Sequence, residues 1–148
     1  MERLDYSKVA PRGMNALRNL QAYIDSCGLE HPLLELVKAR ASQINGCAYW
    51  LDMHTKDARG AGESEQRFYL LSAWREAPFY SEREHAALAI EDDLYEEVRR
   101  YFNEREIIDL TLAVIAINAC NRLAIPFRTP AGSYQPARSP NQTRGVAS

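Results

Sequence analysis

Cysteine is scarce in this chain: Cys27, Cys47 and Cys120, three residues at irregular spacing. An odd and scattered set makes no disulfide framework, and reduced thiols in a cytoplasmic setting are expected. Neither charge is in surplus, with 18 Lys and Arg against 20 Asp and Glu and a formal net charge of −2. That removes the general attraction to nucleic acid that a basic surplus gives. No uninterrupted apolar run reaches the length of a membrane span, about 18 residues. The most apolar stretch, Ile107 to Ile125, is broken by Asp109, Thr111, Asn118, Asn121 and Arg122, so it is expected to be a core helix and no membrane partner is implied. Residues Met1 to Asp5 hold no apolar h-region, which argues against a signal peptide. Alternating strand patterns are missing as well.

What is present fits one globular domain. The chain has 148 residues, 46% hydrophobic and 26% charged, enough to bury a core without disulfide or metal staples. Four of the seven prolines fall after residue 125, in a stretch with three arginines and no acid. Residues 129–148 therefore read as a Pro- and Arg-containing flexible tail behind a helical domain of residues 1–128.

The punctuation is that of an all-α fold with about six to seven helices. Before residue 126, proline occurs only at 11, 32 and 78, positions where a helix can begin or a loop can run. A first helix is predicted from Pro11 to Cys27, closed by Gly28, and a second from Pro32 to Ile44. After Asn45-Gly46 a third runs from Cys47 to Gly60 or Gly62, and a fourth from Ser64 to Glu76. Ser81 with Glu84 has capping-box spacing and opens a fifth through Leu88. Asp93 to Phe102 gives a sixth. Asn103 with Glu106 repeats the cap and opens a seventh, apolar nearly all round and hence expected at the centre.

Reactive side chains gather on the second and third helices. At about 100° per residue, Cys47, Trp50 and His54 share one face of the third helix, while Asp52 and Asp57 fall off it and are expected to face solvent. The short Asn45-Gly46 turn lets Glu35 fold back beside His54. A Cys, a His and a Glu converging between helices is a minimal kit for an activated thiol: sulfur attacks, imidazole moves the proton, carboxylate orients the imidazole. Cys47 at a helix start is expected to have its thiolate favoured. No metal is expected, because Cys47-x6-His54 lacks the three or four convergent ligands of a zinc site. His31 and His85 have no partners at ligand spacing, and no cofactor motif is present.

Glu35, Cys47 twelve positions on and His54 seven further resemble the E-x11-C-x2-C-x3-H signature of the alkylhydroperoxidase D (AhpD)-like and carboxymuconolactone decarboxylase superfamily. The words around Arg40–Tyr49, Asp52–Lys56, Trp74–Tyr80 and Ile117–Leu123 are similar to its common text. The resemblance spans roughly residues 5–128. It implies an all-helical subunit forming trimers or hexamers, and a redox-active cysteine pair that reduces organic hydroperoxides with a thiol reductant. It also implies, in the decarboxylase branch, acid–base work by His54 and Glu35 on a small lactone with no cysteine pair. A third reading is a non-catalytic oligomeric binding protein.

Three departures from the signature stand out. The second cysteine of the pair is Trp50. His54 lies one helical turn from position 50, about 6 Å of rise, but about 10.5 Å from Cys47, so the thiol that His54 could deprotonate is the missing one. Relatives commonly carry Trp where this chain has Cys120, as if the two residue types were exchanged. Cys120 is thus expected to face Trp50 or approach Cys47, or to be a small buried hydrophobe. Tyr49 belongs to the same motif. Finally, Ile90-Glu91-Asp92 makes an unusually short connection.

Overall fold

The structure, a computed structural model, describes residues 2–90 and 95–136. Among the described residues it is all-α with no strand. A single turn, α1 (Tyr6–Val9), is capped by the Asp5 carboxylate, which accepts from the Ser7 and Lys8 amides. Then come α2 (Pro11–Asp25), α3 (His31–Ile44) and α4 (Ala48–Gly60). Pro11 and Pro32 stand in the first turns of α2 and α3, where the missing N–H is no loss. The chain continues through α5 (Glu65–Tyr69), a 3₁₀ turn (Leu71–Ala73), α6 (Glu82–Leu88), α7 (Tyr95–Val98) and α8 (Glu104–Phe127).

Both capping boxes form as the sequence predicts. The Ser81 hydroxyl accepts from the Glu84 amide, and Asn103 Oδ1 from the Glu106 amide, while each glutamate reaches back to its cap. These reciprocal bonds satisfy amides that a helix start leaves unpaired.

The helix α3 is the central post. Leu33, Leu34 and Val37 enter one apolar cluster with Ile24, Val98, Phe102 and Leu110. Leu36 and Ala39 enter a second, with Ala58, Leu71 and Trp74. Ala41 completes a third with Ile117 and Cys120, against which Leu17 and Trp50 pack. The middle of α3 is buried all round, so the polar groups it carries there are buried with it. Glu35, Lys38 and Ser42 are accordingly buried.

Polar ties set the register of the long helices. The Ser42 hydroxyl donates to Asn121 Oδ1 at 3.2 Å, the Asn45 side-chain amide donates to Asn118, and the Tyr23 hydroxyl donates to Asp109 at 2.7 Å. By length and composition α8 could cross a membrane, but it packs on α2, α3 and α4 and buries Asp109 and Asn121.

The expectations need four adjustments. The fourth helix breaks after Tyr69, because Phe68, Leu71 and Trp74 are all buried at intervals of three. A 3₁₀ turn stacks i and i+3 on one line, whereas an α-helix would rotate them apart. The sixth helix is only Tyr95–Val98 within the described residues, and its expected start at Asp93, like Glu91 and Asp92 of the short connection, lies outside them. The last helix is not buried all round, since Ile108 and Ile115 are more than half exposed.

The fourth concerns the tail. Residues 129–136 lie along α4. Gly132 N–H donates to Asp52, Lys56 donates to the Gly132 and Tyr134 carbonyls, and the Tyr134 hydroxyl donates to Asp57 at 2.6 Å. Residues 137–148 lie outside the described part.

Candidate active site

The hairpin of α3 and α4 makes the site. Asn45 N–H and Cys47 N–H bond back to the Ala41 and Ser42 carbonyls, and Gly46 takes φ +66° between them, a conformation that costs glycine little. The chain thus reverses within three residues, which lays His54 beside Glu35. His54 Nδ1 and Glu35 Oε2 are 2.8 Å apart, and both residues are buried (4% and 3% exposed).

Burial by itself pushes the Glu35 carboxyl up, but the hydrogen bond and charge of His54, then Lys38 and His31, hold it below the ordinary glutamate range. An ionised Glu35 accepts the Nδ1 proton, which in the neutral imidazole leaves the lone pair on the other ring nitrogen. That atom, Nε2, is buried and has no hydrogen-bond partner.

Trp50 fills the neighbouring position. Its ring stacks on His54 with centroids 5.6 Å apart and planes 25° from parallel, and Tyr49 meets Trp50 edge-on at 5.3 Å. The indole Nε1–H is likewise buried and unpartnered. Trp50 and His54 therefore share a face of α4, as expected.

Beside this stack lies a cavity of about 400 Å³. Its walls are Tyr49, Trp50, Met53, His54 and Asp57 from α4, Glu35 and Lys38 from α3, Cys120 from α8, and Met14, Leu17 and Gln21 from α2. That volume suits a small molecule.

Cys47 is placed otherwise than expected. It caps the start of α4, but it is 2% exposed and is absent from the cavity wall. Burial pushes its thiol up, and the Trp50 and Tyr49 amides that face the sulfur do not reverse this. Desolvation outweighs the helix start, contrary to the thiolate reading. Cys120 does reach the cavity and packs with Trp50, yet burial pushes its thiol up to about 11. Neither cysteine is in a disulfide.

One further expectation is corrected. Asp57, read as solvent-facing, is half-buried on the cavity wall and holds Tyr134; Asp52 is half-buried between Lys56 and Gly132. His31 Nε2 lies 3.8 Å from Glu35 Oε1 at the edge of the same pair.

Sequence reasoning missed the α2 wall and the depth of Lys38. The Lys38 ammonium is 3.7 Å from Glu35 and 3.4 Å from Asp25, with the residue only 3% exposed. The spacing of Met14, Leu17 and Gln21 on α2 is the signal that could have found the wall. Among the described residues no cluster of His, Cys, Asp and Glu is arranged to hold a metal.

Comparisons with known proteins agree with this architecture. Residues 10–93 match the carboxymuconolactone decarboxylase family. The uncharacterized protein YdfG of Bacillus subtilis is 40% identical over 144 residues, covering 89% of this chain and 98% of the relative. A crystal structure from Agrobacterium tumefaciens, of a protein of unknown function proposed to be the antioxidant defence protein AhpD, is 41% identical with a TM-score of 0.85 and covers 90% of this chain and all of that one. A debrominase shares the fold alone, at 19% identity and a TM-score of 0.75 over 83% of this chain and 73% of its own. The sequence match, the all-helical architecture and the Glu35–His54 pairing across the hairpin converge: the chain belongs to the carboxymuconolactone decarboxylase family, within the AhpD-like superfamily.

Proposed function

We propose that this protein is an acid–base enzyme acting on a small lactone or related organic acid, with His54 Nε2 as the proton-transfer atom and Glu35 as the group that orients and charges it. The observation that carries the reading is the state of His54. One nitrogen is fixed by a carboxylate, the other is unpartnered beside a cavity, and the position one turn away holds an indole in place of a thiol. In a decarboxylation His54 Nε2 would take the proton of the substrate's carboxyl group; the bond from carbon to that carboxylate then breaks, its electron pair enters the conjugated system and CO2 leaves, and the imidazolium gives the proton back to carbon. A positioned base or acid of this kind contributes about 10²–10⁴ in rate. The buried Lys38 ammonium adds positive charge near an anionic substrate.

Thiol-dependent peroxide reduction, the activity the cysteine pair of relatives implies, has weaker support. It needs a thiolate, and burial raises both candidate thiols. Cys47 is also outside the cavity wall, so a hydroperoxide in that cavity meets only the high-pKa Cys120. Association into trimers or hexamers belongs to the same proposal and is supported by Ile108 and Ile115. They lie two turns apart on one side of α8 and are 60% and 51% exposed, a pairing that favours a covering copy.

The test is turnover of carboxymuconolactone, followed as CO2 release, beside consumption of cumene hydroperoxide with dithiothreitol. Lactone turnover should fall by about a hundredfold or more in His54→Gln and stay unchanged in Cys47→Ser. Peroxide consumption that depends on Cys47, or lactone turnover indifferent to His54, would overturn the proposal.

A further inference from the structure

The end of α8 and the residues after it meet two walls of the cavity. On one side, Tyr6 and Ser7 of α1 are wall residues, yet none of the four residues of α1 is buried. That turn is tied to the end of α8. Arg3 N–H donates to the Phe127 carbonyl at 2.9 Å, and the Arg3 guanidinium donates to the Pro126 carbonyl at 3.1 Å. The Tyr6 and Phe127 rings meet with centroids 5.9 Å apart, and the Thr129 hydroxyl donates to the Tyr6 hydroxyl at 3.4 Å. On the other side, the wall residue Asp57 of α4 accepts from the Tyr134 hydroxyl at 2.6 Å. Between the two, Arg128 ends α8 at φ +56° and turns the chain, a conformation that non-glycine residues seldom hold. Lys56 donates to the Gly132 and Tyr134 carbonyls, and Pro136 lies beside Gly60. Residues 130–133 and Gln135 are exposed, so this segment buries little apolar surface and is held by a few polar bonds. Segments of that kind open locally at low free energy. The Tyr134 bond is the strongest of them, short and directed at a carboxylate. Burial, then Asp57, holds the Tyr134 phenol well above the ordinary tyrosine range.

We propose that residues 129–136 form a strap joining α1 to α4, with Tyr134 as its latch, and that release of the latch admits small molecules to the cavity. While the strap is docked, Tyr6 and Asp57 are held at a fixed spacing. When it undocks, α1 and the Asp57 face of α4 lose their common tether, and the wall between them opens. Access controlled in this way does not depend on which reaction the cavity carries.

Cys120 reports the opening, because it lines the cavity and is only 9% exposed. The probe is 4,4′-dithiodipyridine. The Cys120 thiolate attacks its disulfide, forming a mixed disulfide and releasing 4-thiopyridone, and mass spectrometry of the peptides separates Cys120 from Cys27 and Cys47. Tyr134→Phe removes the latch bond and leaves every wall residue in place. Cys120 labelling should quicken by about ten- to hundredfold, the size of one hydrogen bond to a charged group. Lys56→Met loosens the strap from a residue outside the cavity wall and should quicken labelling by about fivefold or more. Tyr101→Phe, which removes a hydroxyl bond to Glu82 in another part of the fold, should leave the rate unchanged. Cys47, buried and away from the cavity wall, should label as slowly in the variants as in the wild type. Unchanged Cys120 labelling in Tyr134→Phe or in Lys56→Met would overturn the inference. Equal quickening at Cys47 would overturn it too, since that marks global unfolding and not release of a strap, and so would quickening in Tyr101→Phe.

Discussion

Replacing Glu35 by Gln tests how the buried charges hold one another. In the native protein the Glu35 carboxylate faces His54 Nδ1 at 2.8 Å, Lys38 Nζ at 3.7 Å and His31 Nε2 at 3.8 Å. At an effective dielectric of about 20, the attraction to Lys38 alone is roughly 4 kcal/mol, and desolvation of both ions offsets most of it. Removing one partner leaves the other charge buried, which usually costs about 3–5 kcal/mol. Asp25 stays 3.4 Å from the ammonium, and glutamine still offers His54 an acceptor, so the expected loss is about 2–4 kcal/mol. Urea unfolding of Glu35→Gln, Lys38→Met and the double variant measures the coupling. The double variant should be less destabilised than the sum of the singles by about 1–3 kcal/mol. Additivity within about 0.5 kcal/mol would show that the two charges are energetically independent and refute this account of the site.

Other expectations follow from the same geometry. Because the folded carboxyl of Glu35 lies below the ordinary glutamate range, the folded state binds fewer protons there. Its stabilising effect is therefore complete above about pH 4.3 and is lost as the pH falls through the depressed value. Urea midpoints below that pH should fall less steeply in Glu35→Gln than in the wild type. Trp50→Cys removes the indole and puts a thiol one turn from His54. Cumene hydroperoxide consumption with dithiothreitol should rise by about tenfold or more and vanish when His54→Gln is added, whereas no gain in a folded variant would count against Glu35 and His54 as a working relay. Leu110 is fully buried where α8 meets α3, and Leu110→Ala should cost about 2–5 kcal/mol in urea unfolding. A cost under about 1 kcal/mol would contradict the packing described.

Much of the fold is written in local chemistry. Ser81 with Glu84 and Asn103 with Glu106 mark helix starts because a cap is satisfied within one turn of its own residue. Glu35 and His54 could be paired from sequence because a short break between helices leaves few ways to return. What escaped the reading depends on distant partners. The break after Tyr69 follows from burying Phe68, Leu71 and Trp74 against another part of the chain. Cys47 has the local setting of a favoured thiolate, and only the packing of neighbouring helices makes desolvation prevail. Asp57 becomes a site residue because α2 closes the cavity and residues 129–136 cross α4, neither of which leaves a trace at position 57 itself.

The account turns on where the proton of His54 resides. Nitrogen-15 NMR of the imidazole at a pH where it is neutral reads this directly. The geometry predicts a proton on Nδ1, held by ionised Glu35, and an unprotonated Nε2 free to act as base. A proton found on Nε2, with Nδ1 accepting from a protonated Glu35, would contradict it.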